Sequence, residues 1–311
     1  MKLPDFPSVA IDDLHAVGQR HGLDVHRSWE RLPESGIFNQ VYIMGGQYVL
    51  RIPRDHPAYI EALYREAIAV PAARRAAVRT PALLVFDATC DVLPVPYAIY
   101  EWVAGRALES LDLEPQQAAD VWRELGRDLA RVHGVDASDL ASTLPKQEVL
   151  PDPRELVETR CTDGWFTSHE ARWVCAWLER LAPLIEPAVR SRLLHGDSQA
   201  SNVMVNGDPL TYLAVIDWGA AALGDVADDF AGVPLRAVPF MLSGHRELAA
   251  LDEDDRAEAR ILWRHLQLGL FMLPRGAVPG RSWAERPVAM LLEILRFFLA
   301  QPGARWKALA P

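Results

Sequence analysis

The sequence is poor in cysteine, and its three cysteines are scattered. Cys90, Cys161 and Cys175 are odd in number and lack the close spacing of metal-ligand pairs. This usage argues against a disulfide framework and against a cysteine-based metal site, since disulfides belong to oxidising compartments. We therefore expect free thiols in a cytoplasmic protein.

Long apolar runs are also missing. No stretch approaches the ~20 apolar residues that a helix needs to cross a bilayer. The opening segment, Met1–Asp5, lacks the apolar core of a signal peptide. We therefore expect no membrane partner.

Positive charge is not in excess either, because the formal net charge is −10 at pH 7. Nucleic-acid binding depends on Lys and Arg that neutralise phosphate, so we expect no nucleic-acid partner. An acidic surface favours a cationic small molecule, although acidic composition more often serves solubility alone. With 311 residues, 50% of them hydrophobic and 24% charged, the chain is predicted to be globular and long enough for two cores.

A cluster of polar residues follows two apolar segments in the second half of the chain. His195–Asp197 comes directly after Leu193 and Leu194, and Asn202 follows five residues after Asp197. A second predicted strand, Tyr212–Ile216, ends at Asp217. Phosphoryl transfer needs one carboxylate at the acceptor hydroxyl, and a second carboxylate with an amide oxygen to hold a divalent metal. The spacing matches a protein-kinase catalytic loop followed by its metal-binding Asp.

The segment Gly224–Phe230, with the sequence Gly-Asp-Val-Ala-Asp-Asp-Phe, adds a further match after Asp217. With these motifs the chain resembles the aminoglycoside phosphotransferase and choline kinase superfamily. The resemblance implies an α+β, bilobal, protein-kinase-like fold. Residues 1–102 would form a small N-terminal lobe with an antiparallel sheet and a helix that bind nucleotide. Residues 103–311 would form a larger, mainly helical lobe with the catalytic loop, the metal site and the acceptor region.

The same resemblance assigns roles to five residues. Asp197 would orient the acceptor hydroxyl and take its proton, and Asn202 and Asp217 would hold Mg²⁺. His195 and Asp229 would support the backbone of the catalytic loop. A transition-metal pair made of His195 and Asp197 is the rival interpretation, but it lacks a third suitable ligand nearby.

Three runs of β-forming residues are predicted as N-terminal strands: Ser28–Leu32, Phe38–Met44 and Gln47–Ile52. Gly45–Gly46 predicts a two-residue hairpin turn. The connection Pro33–Asn39 occupies the position of a kinase's nucleotide-covering loop, although it has less glycine. Backbone N–H groups around Ser35 and the side chain of Asn39 would then cover the phosphates. An ordinary strand connection is the alternative.

Arg51 stands where these kinases most often have the phosphate-pairing lysine. Hygromycin and macrolide kinases of the superfamily are similar in having Val-Leu-Arg here, and arginine supplies a permanent cation with a planar fork. We expect Arg51 to pair with a carboxylate on the following helix. Glu66 is the first choice and Glu61 the second, and a solvated helix charge is an equally open interpretation of Glu66.

A further strand, Pro96–Trp102, is followed by Val103–Gly105, which resembles the family's hinge between lobes. The resemblance implies that the carbonyl of Glu101 and the N–H of Val103 meet the adenine edge. Backbone groups do this recognition, so the identity of the side chains matters little.

The remaining sequence predicts mainly helices. An amphipathic helix starts at Pro115 and ends at His133, which we interpret as a core or supporting residue. Three more helices are predicted at 243–251, 254–273 and 282–299, with apolar faces in the last two made by two sets of residues: Leu262, Leu266, Leu270 and Leu273, and then Val288, Leu292, Leu295 and Leu299. Trp173 and Trp177 are predicted to be core residues. The acidic run Asp252–Asp255 is interpreted as a helix N-terminus in preference to an amine-binding patch.

Taken together, the sequence predicts a Mg²⁺-dependent O-phosphotransferase that moves the γ-phosphoryl group of ATP or GTP to a hydroxyl of an antibiotic of the aminoglycoside or macrolide type. A cationic acceptor is favoured by the net charge. A metabolic kinase for an amino alcohol or a sugar is the main alternative, followed by a non-catalytic nucleotide-binding pseudokinase. A protein kinase is disfavoured because no Ala-Pro-Glu segment follows Asp217.

Overall fold

The computed structural model describes residues 3–23, 28–32, 38–185, 190–276 and 287–311. Its N-terminal part consists, in chain order, of α1 (Ile11–Arg20), β1 (Trp29–Arg31), β2 (Asn39–Met44), β3 (Tyr48–Pro53), α2 (Pro57–Arg75), β4 (Leu83–Asp87) and β5 (Tyr97–Glu101). The strands form one sheet in the order β1-β2-β3-β5-β4, and each neighbouring pair is antiparallel. Alternation along β2 places every second side chain in the core, as expected for a sheet with one buried face.

The turn between β2 and β3 is one residue longer than the two-residue hairpin predicted from the sequence. Met44 pairs with Tyr48, so the connection is Gly45–Gln47. Both glycines have left-handed φ angles, 54° and 65°, which a residue without Cβ adopts easily. The extra residue, Gln47, accepts a hydrogen bond at its carbonyl from the N–H of Trp102 at 2.9 Å. The longer turn therefore ties the hairpin to the end of β5.

The second part is mainly helical, with elements, in chain order, β6 (Arg106–Ala107), α3 (Ala119–His133), α4 (Pro153–Thr162), α5 (Ser168–Ile185), β7 (Arg192–Leu194), β8 (Val203–Gly207), β9 (Leu210–Val215), β10 (Ala222–Gly224), α6 (Val238–Leu248), α7 (Ala257–Met272), α8 (Pro287–Leu299) and α9 (Ala304–Lys307). Strands β6, β8 and β9 form a small sheet, and β7 pairs with β10. An antiparallel five-stranded sheet followed by a mainly helical region confirms the predicted α+β fold class.

Helices α3 and α6 pack so closely that their backbones are in contact. A Cβ on Gly126 would lie 2.0 Å from the carbonyl oxygen of Met241, and one on Gly244 would lie 1.9 Å from that of Arg123. Because only glycine leaves room for this approach, the pair is fixed in register. Besides this contact, His133 at the end of α3 bonds to His245 in the last turn of α6.

The start of α6 was predicted five residues too late. The helix begins at Val238, with Pro239 in its first turn, where the missing N–H of proline costs no hydrogen bond. The predicted start of α8 covers residues 282–286, which lie outside the described part of the chain. The long helix predicted from Pro115 begins as a 3₁₀ turn over Pro115–Ala118 and continues as α3.

The predicted apolar face of α7 is buried, but that of α8 is wrong. Leu292 and Leu299 are 51% and 80% exposed, whereas Met290, Ile294 and Phe297 are buried. Helix α8 is apolar at most positions, so two offset series of residues both satisfy helical periodicity. Packing against α7 and α9, through contacts such as Phe297 with Trp306, selects the other series.

The two tryptophans of α5 also differ from each other. Trp177 is 4% exposed, and its indole N–H donates to the carbonyl of Leu309 at 2.8 Å. Trp173, predicted to be a core residue as well, is 51% exposed, because it lies one turn away on the flank of the helix.

The main hydrophobic core is continuous across both parts of the chain. It includes Leu63 on α2 and Tyr100 on β5, and extends through Leu125 and Phe230 to Trp306 near the end of the sequence. A smaller cluster fills the space between α1 and the sheet. The lobe boundary between residues 102 and 103 stays a prediction.

Among the described helices, none combines the length and the apolar character that a bilayer-crossing segment requires.

Candidate active site

The loop after β7 is shaped by a glycine. Gly196 has φ 80°, and a Cβ at this position would lie 2.2 Å from the carbonyl oxygen of Ala220. Only glycine combines this φ with so close an approach. The chain therefore turns sharply after His195 and directs Asp197 away from the strand.

Asp229 holds this turn from below. Its carboxylate accepts hydrogen bonds from the backbone N–H groups of His195, at 2.9 Å, and Gly196, at 2.7 Å. Nε2 of His133 lies 2.9 Å from the same carboxylate. Burial alone would raise the pKa of Asp229, but His133, together with His195 and the N–H of Gly196, outweighs it, and the net pKa is below its ordinary value. Asp229 thus stands where it can support the loop backbone.

His195 is locked as a neutral ring by its two partners. Its Nδ1 accepts the N–H of Asp197 at 3.2 Å, and its Nε2 donates to the carbonyl of Ile216 at 3.1 Å. An amide N–H can only donate and a carbonyl can only accept, so Nδ1 must be bare and Nε2 protonated. The two hydrogen bonds fix the ring between the loop and the segment after β9, so this geometry favours a structural role for His195.

Asp197 is partly buried and held at both carboxylate oxygens. Gln199 donates to Oδ1 at 2.8 Å, and the Asn202 amide donates both to Oδ2 and to the backbone carbonyl of Asp197, each at 2.8 Å. Burial raises the pKa of Asp197, and the negative charge of Asp217 adds to this, while the neighbouring His195 and the two amide bonds oppose it. The net pKa is above its ordinary value, which suits a proton acceptor.

Asn202 and Asp217 fit a hard divalent cation by the chemistry of their oxygens. Both amide hydrogens of Asn202 are engaged by Asp197, and no donor in the described residues reaches its Oδ1. The Asp217 side chain is 43% exposed and sits at φ 67°, a strained backbone value for a residue with a Cβ. No cluster of three or more His, Cys, Asp or Glu side chains suited to a metal occurs in the described ranges. Mg²⁺ needs fewer, because it binds through one or two carboxylates plus substrate phosphates.

Arg51 reaches from β3 to two carboxylates. Its Nη1 donates to Glu66 Oε2 at 2.7 Å and its Nη2 to Asp217 Oδ1 at 2.9 Å. Burial lowers the pKa of Arg51, but the two carboxylates outweigh it and raise it overall. For Asp217, burial raises the pKa, and Arg51 more than reverses the effect. Glu61, the alternative partner, pairs instead with Arg65 at 2.6 Å on the helix surface.

Glu66 is buried, at 2% exposed, and is not a solvated helix charge. Burial is the main cause that raises its pKa to about 7; Arg51 opposes the rise and Asp217 adds to it. The hydroxyl of Tyr100 donates to the same carboxylate oxygen as Arg51, at 2.5 Å. Three segments of the sheet region, β3, α2 and β5, therefore meet at one carboxylate.

Two other predicted nucleotide residues lie at strand ends, opposite the two ends of β3. Asn39 starts β2 opposite Pro53, and Glu101 ends β5 opposite Tyr48. The N–H of Val103 donates to no group in the parts of the chain that the structure describes, so it is available to a ligand. Ser35 lies outside the described residues.

Three contributing residues escaped the sequence analysis. Tyr100 lies opposite Val49 in the sheet and shares a face with Arg51, but this requires the pairing of β3 with β5, which the sequence does not reveal. Gln199 could have been predicted, because it lies only two residues after Asp197 in the sequence. His245 bonds to His133 at 3.0 Å, but nothing in the sequence near His245 indicates this contact.

The acidic run before α7 is engaged in ion pairs. Asp252 pairs with Arg192 at 2.8 Å, and Asp254 with Arg246 at 2.9 Å and Arg305 at 3.2 Å. Asp254 begins a 3₁₀ turn, Asp254–Arg256, that leads directly into α7, and this agrees with the interpretation of the run as the start of a helix.

A cavity of about 310 Å³ opens beside the catalytic loop. Its lining combines apolar and charged side chains with one residue of that loop: Leu108, Asp112, Trp122, Ala200, Arg236 and Leu292. Four lining carboxylates face two guanidinium groups: Glu109, Asp112, Glu114 and Glu293 against Arg236 and Arg296.

The two arginines of the cavity are already paired. Arg236 contacts Glu293 at 2.8 Å and Glu114 at 2.6 Å, and Arg296 contacts Glu114 at 3.0 Å. These pairs join the segment before α3, the segment after Phe230 and α8. The wall of the cavity is therefore made by three distant parts of the chain, and its carboxylates remain in excess.

The sequence and the fold agree with a known group of enzymes. The model of the phosphotransferase enzyme family, APH, matches residues 29–268. The chain belongs to this family. A curated relative, acyl-CoA dehydrogenase family member 10 of Mus musculus, is 26% identical over 234 residues that cover 71% of this chain. The match spans only about a fifth (21%) of that relative's length.

Solved structures of phosphotransferases share the fold. The GDP complex of wild-type aminoglycoside 2'-phosphotransferase-IIIa superposes with a TM-score of 0.63, at 17% identity, over 91% of this chain and 98% of that one. Macrolide 2'-phosphotransferase MphH from Brachybacterium faecium gives 0.55 at 22% identity, over 90% and 96% of the two chains. A complex of APH(2'')-IIIa with GDP and kanamycin gives 0.58 at 18% identity, over 86% and 91%.

Proposed function

We propose that the protein is a Mg²⁺-dependent small-molecule O-phosphotransferase that moves the γ-phosphoryl group of ATP or GTP to an acceptor hydroxyl. The observation that carries this proposal is the meeting of Asp197, Asn202 and Asp217. Asn202 bonds to Asp197 at 2.8 Å, and the N–H of Ile216, the residue before Asp217, donates to the carbonyl of Asn202 at 2.9 Å. Membership of the phosphotransferase family supports the same chemistry.

In this proposal Asp197 binds the acceptor hydroxyl and takes its proton late in transfer. The transition state is loose, so the fixed position of the Asp197 carboxylate matters more than its basicity. Asn202 Oδ1 and the Asp217 carboxylate would hold Mg²⁺, which supplies neutralisation of charge on the phosphates when bound. His195 and Asp229 keep the loop in shape.

The nucleotide would lie against the sheet of residues 1–102. Arg51 would contact the phosphates, with Glu66 keeping its guanidinium in place, and Asn39 and the segment around Ser35 would cover them. The carbonyl of Glu101 and the free N–H of Val103 would meet the adenine or guanine edge. Residues 103–311 would then provide the catalytic loop and the acceptor region.

The acceptor would occupy the cavity beside Ala200. The excess of carboxylates over guanidinium groups in its lining favours an acceptor with a cationic group, and Leu113 and Leu292 favour an apolar part beside it. An antibiotic of the aminoglycoside or macrolide type is the leading acceptor class.

A metabolic kinase is the second candidate, and the size of the cavity favours it. A volume of about 310 Å³ lies at the lower end of the ~300–1,000 Å³ range of ligand sites. An amino alcohol or a sugar would fit entirely, whereas a large antibiotic would fit only in part.

The test is a panel of aminoglycosides, macrolides, amino alcohols and sugars, assayed for nucleoside diphosphate release and for phosphorylated product with Mg²⁺ and ATP or GTP. Asp197→Ala should lower kcat with the productive acceptor by ~10²–10⁴-fold and leave nucleotide affinity unchanged. Wild-type turnover in Asp197→Ala would refute the assignment of the base. Nucleotide binding without transfer to any acceptor would favour the pseudokinase instead.

Metal binding has its own test. Asp217→Asn should weaken ATP binding when Mg²⁺ is present and change it little in EDTA, because the carboxylate acts through the metal. Equal losses in both conditions would mean that Asp217 serves only as the partner of Arg51.

A further inference from the structure

Three buried groups form a hydrogen-bonded chain beneath the catalytic loop. Asp229, His133 and His245 are 1%, 5% and 2% exposed. Nε2 of His133 lies 2.9 Å from Asp229 Oδ2, and Nδ1 of His133 lies 3.0 Å from Nε2 of His245. Nδ1 of His245 lies 2.9 Å from the carbonyl oxygen of Ala249.

The groups at the two ends of this hydrogen-bonded series, the carbonyl of Ala249 and the carboxylate of Asp229, determine how many protons the two histidines carry. The carbonyl of Ala249 can only accept, so Nδ1 of His245 must carry a proton. If His245 is neutral, its Nε2 is bare, and Nδ1 of His133 must donate to it. At the other end, Asp229 already accepts two backbone N–H groups as a carboxylate, so Nε2 of His133 must donate as well. Both nitrogens of His133 are then protonated.

We propose that both ring nitrogens of His133 carry a proton in the folded protein and that His133 and His245 are positioning residues, which act on Asp197 by holding Asp229 as an ionised support of the loop. The kinetic part of this inference rests on the proposed phosphoryl transfer, and the protonation part does not.

Burial is the main reason why His245 stays neutral, and it acts independently of the charge on His133. Burial, with the charge of His133 added, lowers the pKa of His245 to about 3; the carbonyl of Ala249 and Asp254 oppose this, and Arg246 adds to it. His133 instead lies beside the Asp229 carboxylate. A buried ion pair of this kind is stable only when its remaining donors are satisfied, and His245 accepts the one that is left.

Two other buried histidines show the contrast. His195 has one donor partner and one acceptor partner, which specifies a neutral ring. His265 donates from Nε2 to the carbonyl of Phe230 at 2.8 Å, and burial lowers its pKa to about 4. Among the histidines that the structure describes in this region, His133 alone has two partners that both accept a hydrogen bond from its ring.

The wild-type protein provides the direct test. In ¹⁵N NMR of histidine-labelled protein at pH 7.5, with His133→Asn used to assign the signals, both ring nitrogens of His133 should resonate as protonated nitrogens. His245 should show one protonated and one bare nitrogen. A bare nitrogen on His133 would overturn the proposal.

Variants at His245 test the effect on the loop. His245→Leu removes the acceptor, so His133 should lose its second proton, and kcat should fall by roughly 10- to 100-fold with little change in the KM for nucleotide, as for other residues that orient an active group. His245→Gln keeps an acceptor and a donor and should restore both the signal and the rate. His265→Leu is the matched control, because it removes a ring as deeply buried near the same segment without touching Asp229.

The outcomes separate the possibilities. Equal rate losses in His245→Leu and His265→Leu, or no recovery in His245→Gln, would overturn the positioning role. If His245→Leu does not fold, the NMR test of the wild type still decides the protonation state. If no acceptor is turned over by the wild type, the proposed function fails, and the His133 signal still stands or falls by itself.

Discussion

Arg51 is the residue whose surroundings most constrain it. Its guanidinium is the cation of two carboxylates, Glu66 and Asp217, and a tyrosine hydroxyl completes the coordination of Glu66. Lysine would have to reach both carboxylates from one nitrogen, because its ammonium is a point charge without a planar fork. The departure from the commonest family residue is thus matched by its contacts.

Removing this cation should destabilise the protein. Arg51→Ala leaves Glu66 buried without its partner, and we expect a loss of about 3 kcal/mol in the free energy of unfolding, as for other broken buried pairs. Arg51→Lys should lose less, because the charge remains. Urea unfolding measures both. A loss below that of Glu61→Ala, which breaks only a surface pair, would contradict the buried role.

The surroundings of Asp87, far from the candidate active site, predict that the free energy of unfolding depends on pH. Burial would raise its pKa, but hydrogen bonds from Thr89 and Tyr97 and the charge of Arg20 lower it to about 2. Because the folded pKa lies below the ordinary 3.8, the unfolded chain binds the proton first as the pH falls.

Asp87 should therefore contribute about 2 kcal/mol of stability at neutral pH, and this should disappear between about pH 4 and pH 2. Comparing wild type with Asp87→Asn by urea unfolding at pH 7 and at pH 3 isolates the effect. A difference that does not shrink at pH 3 would contradict the assignment.

Sequence reasoning at this scale succeeded where geometry is local. Asp197 and Asn202 are five residues apart in one loop, so their contact at 2.8 Å follows from spacing. Tyr100 and His245 could not be found, because each depends on which strand or helix lies beside it. Ser198, which had no role in the sequence analysis, donates its hydroxyl to the carbonyl of Asp229 and so joins the same loop support.

At the scale of elements, the contact between α3 and α6 decides the geometry below the loop. Two glycines allow backbone contact; α3 ends at His133, and His245 lies in the last turn of α6. The sequence predicted both helices, but not that glycines would set the distance between them.

Gly244→Ala should cost at least about 1–3 kcal/mol, because its Cβ would lie 1.9 Å from the Arg123 carbonyl oxygen, which is backbone and cannot move aside easily. Gly232→Ala is the matched control, since no atom lies within 4 Å of its Cβ. Thermal unfolding compares the two. Equal stability of both variants would mean that the helices separate without strain.

Helix α8 offers a second test, because its buried face differs from the predicted one. Phe297→Ala should cost about 3–5 kcal/mol, as for other large core residues. Leu299→Ala, at an 80% exposed position, should stay within about 0.5 kcal/mol of the wild type. The opposite ranking in urea unfolding would restore the face that the periodicity predicted.

On the scale of the whole molecule, one core joins the sheet to the last helix. Leu63 and Tyr100 belong to the same cluster as Trp306. The fold class was predictable from motif order, because each catalytic motif belongs to a fixed place in one architecture. The continuity of the core was not, because it depends on packing between segments that are distant in sequence.

We therefore expect the sheet region and the helical region to unfold together. Calorimetry at pH 7 should give one transition whose van't Hoff enthalpy equals the calorimetric enthalpy. Two resolved transitions, or a stably folded fragment of residues 103–311, would show that the predicted lobes are independent.

The cavity wall has a consequence for the choice of acceptor. Glu114 forms ion pairs with Arg236 and Arg296. Because Glu114 and Arg296 are about half exposed, dissolved salt can screen and weaken these pairs. The loop that would perform the chemistry is instead fixed by buried contacts that ions do not reach. Raising the ionic strength should therefore alter acceptor binding at lower salt concentrations than it alters the rate of the chemical step. The preference among acceptors would then depend on the salt concentration.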